Sequence, residues 1–428
     1  MTASCAYDAD RKTFTLSLEQ MVPATPGQTT KKPMHIPLRM ALIAADGTAI
    51  APTSVTGAEL TDDVLHLTEK VQTVVFHGIP SRPVLSLNRS FSTPINLQFN
   101  QSVEDLALIA RFEIDHFARW QALIDLGLPN LLQAARDARQ GNDITCDSSF
   151  VGALLAAAAD DSLEPAFRAQ ALALPSEADI GRELGGNNDP DAIRTGRQAI
   201  FKRIAEAGKD IFAALYDSMQ TPGPFSPDAE SAGRRALRNA ALGYLSQLDG
   251  TPVRAKAAYD AANNMTDLSA ALTILAHQFP ETAETAAALE HFHDRFSKNA
   301  LVIDKWFAIQ AGIPGPDALA RIQRLMEAPQ FKRSNPNRMR SVLGTFAFAN
   351  PTGFGRADGA GYNFLADEIL DIDQRNPQLA ARILTSMRSW RLLEPVRADH
   401  ARSALMRIER AAGLSTDVRD IVDRILKE

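Results

Sequence analysis

A change in hydrophobic period near residue 100 constrains this chain more than any other feature. Before it, apolar and polar residues alternate in short runs, the pattern of strands with one buried face. Beyond it, apolar residues recur at helical spacing as far as the C-terminus. Strands gathered first and helices gathered afterwards imply separate layers rather than interleaved βα units. The expected fold class is therefore multidomain. A small N-terminal all-β Ig-like sandwich over residues 1–100 is followed by a large all-α domain of antiparallel helix pairs, a superhelical array, over residues 101–428.

The β-prone runs cover residues 13–20, 35–44, 64–68, 71–77, 84–87 and 95–99, with turn signals such as Pro26-Gly27, Gly78 and Thr93-Pro94 between them. Asp46-Gly47, set between two of these runs, signals a hairpin, because glycine reaches the positive φ that a tight turn requires. Residues 1–8 read as only the stub of a first strand. That would leave a sheet edge exposed and implies a chain that starts inside a sheet.

From Ser102 the pattern is helix, short break, helix. Ser102 and Asp105 form a plausible capping pair. An N-cap residue followed by proline at the first helical position recurs at Asp189-Pro190, Ser226-Pro227, Thr251-Pro252 and Asn376-Pro377. About fifteen helices of roughly 10–25 residues are expected, with no fixed-period repeat of the tetratricopeptide or ankyrin kind.

Composition removes several function classes. The net charge of −6 argues against nucleic acid or an anionic membrane as the main partner. Cys5 and Cys146, the two cysteines, are far apart in sequence and suggest neither a disulfide framework nor a four-ligand zinc site. No stretch approaches the unbroken apolar length of a membrane span and no signal peptide stands at the start, so a cytoplasmic location is expected. The eight histidines include no HExxH, and the chain has no Gly-x-Ser-x-Gly, Walker A or CxxC motif. His291 and His293 are two residues apart in an expected helix and so point to different sides. Gly353-Phe354-Gly355-Arg356-Ala357-Asp358 follows a helix rather than a strand and reads as a loop, not a dinucleotide fingerprint. Asp367 and Asp371 share a helical face and read as a solvated acidic surface. No catalytic and no metal-ligating residue is assigned to this chain.

The densest polar stretch is residues 333–390, which holds Asn-Pro helix starters and a glycine-rich loop. In its first helix Met339, Val342, Leu343 and Phe346 form the core stripe. Arg340 sits at the margin beside Gly344 and Ala347, small residues that leave space along a cavity wall. In a later helix Gln378 and Arg382 are four apart on one face. Gln378 lies in the first turn, where free backbone N–H groups favour carbonyl or anionic ligands. An amide and a guanidinium there could hold peptide carbonyls or a carboxylate. Snorkelling and helix–helix packing account for the same residues equally well, and both readings stay open at this point.

Several blocks extend the reading. Pro23-Ala24-Thr25-Pro26 with Met34-His35-Ile36-Pro37, Asn263-Asn264-Met265-Thr266-Asp267, Asp304-Lys305-Trp306-Phe307, Ser334-Asn335-Pro336-Asn337-Arg338 and Arg375-Asn376-Pro377-Gln378 occur in order along the chain. Together they resemble the C-terminal half of the bacterial aminopeptidase N family of M1 zinc metallopeptidases. The resemblance implies a β-sandwich domain and a helical domain that closes over a separate catalytic domain. It implies zinc held by that other domain, through HExxH and a distant glutamate, and an exopeptidase GxMEN motif there. None of these is in this chain, which is expected to bind no cofactor and to be inactive alone. The partners implied are peptide substrates and the zinc-bearing N-terminal half of the enzyme. Arg340, Gln378 and Arg382 would line the primed side of the substrate chamber, while Asn263 and Asn264 also read as ordinary C-cap residues. A free-standing helical scaffold that binds a peptide or protein without catalysis is the alternative.

Overall fold

The segment Thr13–Glu19 shows how alternation becomes a sheet: Phe14, Leu16 and Leu18 are buried, and the residues between them are more exposed. The computed structural model describes residues 1–427 of the 428. Nine strands build two sheets: β1 (Thr2–Asp8), β2 (Thr13–Glu19), β3 (Ile36–Ile43), β4 (Ser54–Thr56), β5 (Glu59–Thr61), β6 (Val64–Leu67), β7 (Val71–His77), β8 (Val84–Leu87) and β9 (Gln98–Phe99). One sheet has the order β4-β7-β2-β1-β9 and the other β5-β6-β3-β8. Leu16, Leu38, Leu65, Val74 and Phe76 belong to one buried cluster drawn from both sheets, which is the core of an Ig-like sandwich.

One expectation for this region changes. Residues 2–8 form β1, which pairs with β2 from Thr2 opposite Glu19 to Asp8 opposite Thr13. β9 runs parallel beside its first two residues. The strands β4 and β5 were not expected, because three residues are too few to display a period. They turn about Gly57, whose φ of 89° and close approach to Thr73 (a Cβ would lie 2.0 Å from the carbonyl oxygen) admit no side chain. The Asp46-Gly47 turn forms as expected, with Gly47 at φ 87° and the Ala44 N–H donating to the Thr48 carbonyl at 2.8 Å. Its returning arm is a single bridge between Ile43 and Ala49.

The chain divides into two compact units. The first comprises Met1–Gly127 with Asp147–Leu163 and Gln170–Leu172, and the second the remainder. Within the first, the helix Val103–Phe112 starts at Ser102, whose Oγ accepts the Asp105 N–H at 3.1 Å. The Asp105 carboxylate does not reciprocate. It takes a bidentate pair from Arg82, at 2.8 and 2.6 Å, that ties this helix to the sandwich. Arg89 donates to Glu113 at 2.9 Å in the same unit.

In the second unit helices stack on sequence neighbours. Ala229–Asp249 packs against Pro190–Ala207, Lys209–Ser218, Val253–Ala261 and Met265–Gln278, and Ala360–Asp373 against Pro377–Leu384 and Pro395–Glu409. Such near-neighbour packing is how helical repeats bury a continuous core. There are more helices than expected, several of only four to eight residues. Asp189 and Asn376 cap helices that begin at Pro190 and Pro377. The other two expected starters do not. Asp228, not Ser226, caps Ala229–Asp249. The helix Val253–Ala261 has no side-chain cap, Pro252 itself being the N-cap residue. Asn264 is likewise an N-cap rather than a C-cap residue: its Oδ1 accepts the Asp267 N–H at 3.0 Å at the start of Met265–Gln278. No helix among the described residues is long and apolar enough to cross a membrane.

Candidate functional site

Arg340 stands where a helix changes pitch. Asn335 starts the helix, its Oδ1 accepting the Asn337 N–H at 3.0 Å. After Met339 the backbone opens into a π-helical turn over Arg340–Gly344 and returns to α over Thr345–Ala349. Met339, Val342, Leu343 and Phe346 are all fully buried, as the core stripe requires. The turn is held from behind. The buried Arg338 guanidinium lies 2.8 Å from the Asp304 carboxylate and 4.9 Å from the centre of the Phe307 ring. Arg340 itself is exposed, and its Nη1 donates to Asn337 Oδ1 at 2.7 Å. A π-turn interrupts the regular ladder, and such turns are frequent at functional sites.

Gln378 and Arg382 occupy the helix Pro377–Leu384, which packs against that π-turn. Asn376 Oδ1 accepts the Leu379 N–H at 3.1 Å, while Leu379, Ala380, Ile383 and Leu384 are buried. Gln378 and Arg382 are both exposed, and among the described residues neither side chain has a hydrogen-bond or ion-pair partner in the chain. The structure thus places the two helices in contact and leaves all three polar side chains at the surface. Because Asn376 fixes the entry to this helix, Asn376→Ala is expected to cost about 1 kcal/mol in a denaturant titration, whereas Gln378→Ala changes stability by less than about 0.5 kcal/mol.

A cavity of about 380 Å³ lies nearby, and none of the three residues lines it. Its walls come from residues 177–193, 347–362 and 385–401; the second segment and the start of the third lie in the polar stretch 333–390, whereas the first carries no sequence signal for a site. Tyr362 forms part of it, and burial pushes its phenol up, beyond the ordinary tyrosine range. Burial also raises the Glu177 carboxyl, against the pull of Arg194 and Arg197. Beside the cavity Arg397, almost fully buried, donates to the Gly355 carbonyl at 2.6 Å, to Glu394 at 3.2 Å and to Asp191. Its Nη1 is also 3.5 Å from Asp189. Burial acts to raise the Glu394 carboxyl, but the N–H groups of Val396 and Arg397 and the Arg397 charge outweigh it and hold the carboxyl low.

The remaining candidates have structural roles. His291 Nδ1 is 2.9 Å from the Tyr259 hydroxyl, and the His293 ring lies 4.9 Å from that of Trp306. Asp367 and Asp371 are exposed but not simply solvated: Asp367 pairs with Arg407 at 2.8 Å, and Asp371 with Arg333 at 2.9 Å and with Arg375. Gly353 and Phe354 belong to a short helix, Pro351–Phe354, so only the residues after it form the expected loop. Cys5 is exposed and Cys146 half-buried. Among the described residues no three His, Cys, Asp or Glu side chains cluster to hold a metal ion, so the residues present do not fit zinc.

Comparison with known proteins supplies the lineage. Residues 1–100 match the family described as "Domain of unknown function (DUF3458) Ig-like fold", and residues 103–427 match "Domain of unknown function (DUF3458_C) ARM repeats". Aminopeptidase N of Caulobacter vibrioides is 39% identical over 387 residues, 90% of this chain and 43% of the relative. Aminopeptidase N of Escherichia coli is 32% identical over 430 residues, 100% of this chain and 48% of the relative. The crystal structure of Legionella pneumophila aminopeptidase A in complex with aspartic acid is similar with a TM-score of 0.84 and 28% identity, covering 100% of this chain and 48% of that one. The chain spans about half the length of these relatives. It belongs to the DUF3458 family, pairing that family's Ig-like and ARM-repeat domains as the C-terminal portion of aminopeptidase N does.

Proposed function

We propose that this chain is the non-catalytic C-terminal portion of an M1 zinc aminopeptidase, an enzyme that removes N-terminal residues from peptides. The observation that carries the reading is the match from end to end with aminopeptidase N sequences of which the chain spans only about half. Zinc, HExxH and the amine-binding motif would then belong to the other half, which is the chain's first partner; peptides are its second. The sandwich over residues 1–100 and the helical domain over residues 101–428 would act as one wall of a substrate chamber, in a cytoplasmic enzyme.

In this reading Arg340, Gln378 and Arg382 face the primed side of the peptide. Their support is chemical. Two guanidiniums and an amide, on helices that touch, are exposed and, among the described residues, take no part in an ion pair. They can donate to the carbonyls or terminal carboxylate of the departing peptide without first breaking an internal salt bridge. No step at the scissile bond is assigned to this chain. In the complete enzyme Arg340→Ala is expected to lower kcat/KM about tenfold for short peptides with a free carboxylate and to leave aminoacyl amides unchanged. Equal losses on both substrate types would remove Arg340 from the peptide path. A scaffold without catalysis predicts no dependence of any turnover on this residue.

A further inference from the structure

The cavity of about 380 Å³ has its own chemistry, separate from Arg340, Gln378 and Arg382. Its wall is largely apolar, with Phe348, Phe354, Tyr362, Met387 and Trp390 contributing. Groups of both charges line it too. Glu177 has Arg194 as its ion-pair partner at a long 3.5 Å. Arg388 is exposed, and among the described residues its guanidinium has no ion-pair or hydrogen-bond partner in the chain. Two further lining residues hold buried polar atoms that find no partner, Asn188 Oδ1 and Ser386 Oγ. Buried polar atoms are seldom left so, and a bound polar group is one way to complete them.

A plain hydrocarbon would leave the unpaired guanidinium and both orphaned atoms unused. A simple organic anion would face Glu177. Among the described residues the apolar cavity is edged by the unpartnered Arg388, by Arg182 already paired with Asp179 at 3.0 Å, by one weakly paired carboxylate and by a spare acceptor, which suits a zwitterion with an apolar body, and the volume is that of a small-molecule pocket. We propose that this cavity binds a free α-amino acid with a large apolar side chain. The carboxylate lies against Arg388 and the Ser386 hydroxyl. The ammonium lies toward Glu177 and Asn188 Oδ1, and the side chain rests among Phe354, Tyr362 and Trp390. The site requires nothing of the substrate chamber, so it stands or falls apart from the peptidase reading.

Isothermal titration of the 428-residue chain with L-phenylalanine tests it. One equivalent is expected to bind, with L-phenylalaninamide and N-acetyl-L-phenylalanine each about tenfold weaker, since each lacks one of the two charges. Arg388→Ala should abolish the difference between the amino acid and its amide, and Glu177→Gln the difference from the N-acetyl compound. Arg388 is exposed and, among the described residues, without a side-chain partner, so its variant folds and decides the matter by itself if Glu177→Gln does not. No saturable binding up to about 10 mM, equal affinity for all three compounds, or an Arg388→Ala variant that still discriminates would each overturn the proposal.

Discussion

Arg397→Ala is expected to destabilise the helical unit by about 3 kcal/mol, a fall in Tm of roughly 6–10 °C. Arg397 joins parts of the chain that are remote in sequence: Asp189 and Asp191 at the start of one helix, Glu394 at the start of another, and the Gly355 carbonyl between two more. Its side chain is only 7% exposed, so water cannot take its place without rearrangement. Removing it leaves the Glu394 carboxylate, 11% exposed, with its backbone donors but no countercharge. Asp191 is 61% exposed and loses little, which puts the expected cost at the low end for a broken buried ion pair. A measured loss below about 1 kcal/mol would mean that Glu394 and Asp189 are satisfied by their caps alone.

Gly361→Ala is the second large effect, expected to cost about 3 kcal/mol. A Cβ at Gly361 would sit 2.0 Å from the Phe354 carbonyl oxygen, an unyielding backbone atom. The helix Ala360–Asp373 would have to lift from the short helix Pro351–Phe354, opening the contacts of Phe354 with Phe346 and Tyr362, whose ring centres lie 5.7 and 5.0 Å away. Gly344, earlier in the same stretch, offers the control. A Cβ there meets only Arg340 Cβ, at 3.7 Å. Gly344→Ala should therefore be neutral or stabilise by up to about 1 kcal/mol, through helix propensity. Equal effects of the two substitutions in a denaturant series would contradict the packing described for this segment.

What could be read in the sequence depended on how locally each feature is encoded. The strands β2, β3 and β7 alternate because one face is buried, and that alternation is visible in Phe14-Thr15-Leu16-Ser17-Leu18. β1 is almost wholly exposed on both faces, so it offers no such pattern although it pairs fully with β2. Asn376-Pro377 announced a helix because a cap needs only its own first turn. Thr251-Pro252 has the same look, but there the helix starts one residue later and uses no side chain. That Gln378 and Arg382 share a face apart from Leu379 and Ile383 followed from helical spacing alone, but that this face is exposed rather than packed did not. The cavity did not, because its wall is assembled from three segments whose proximity is set by packing. The same holds for Arg397, whose partner Asp191 is 206 residues away.

On the proposed reading this chain is one wall of an aminopeptidase whose chemistry lies in another half. The most direct test measures zinc content and aminopeptidase turnover of the pure 428-residue chain. Among its described residues no three potential ligands cluster, and the prediction is less than about 0.1 equivalent of zinc and no turnover. One equivalent of bound zinc together with turnover of an aminoacyl substrate would contradict it.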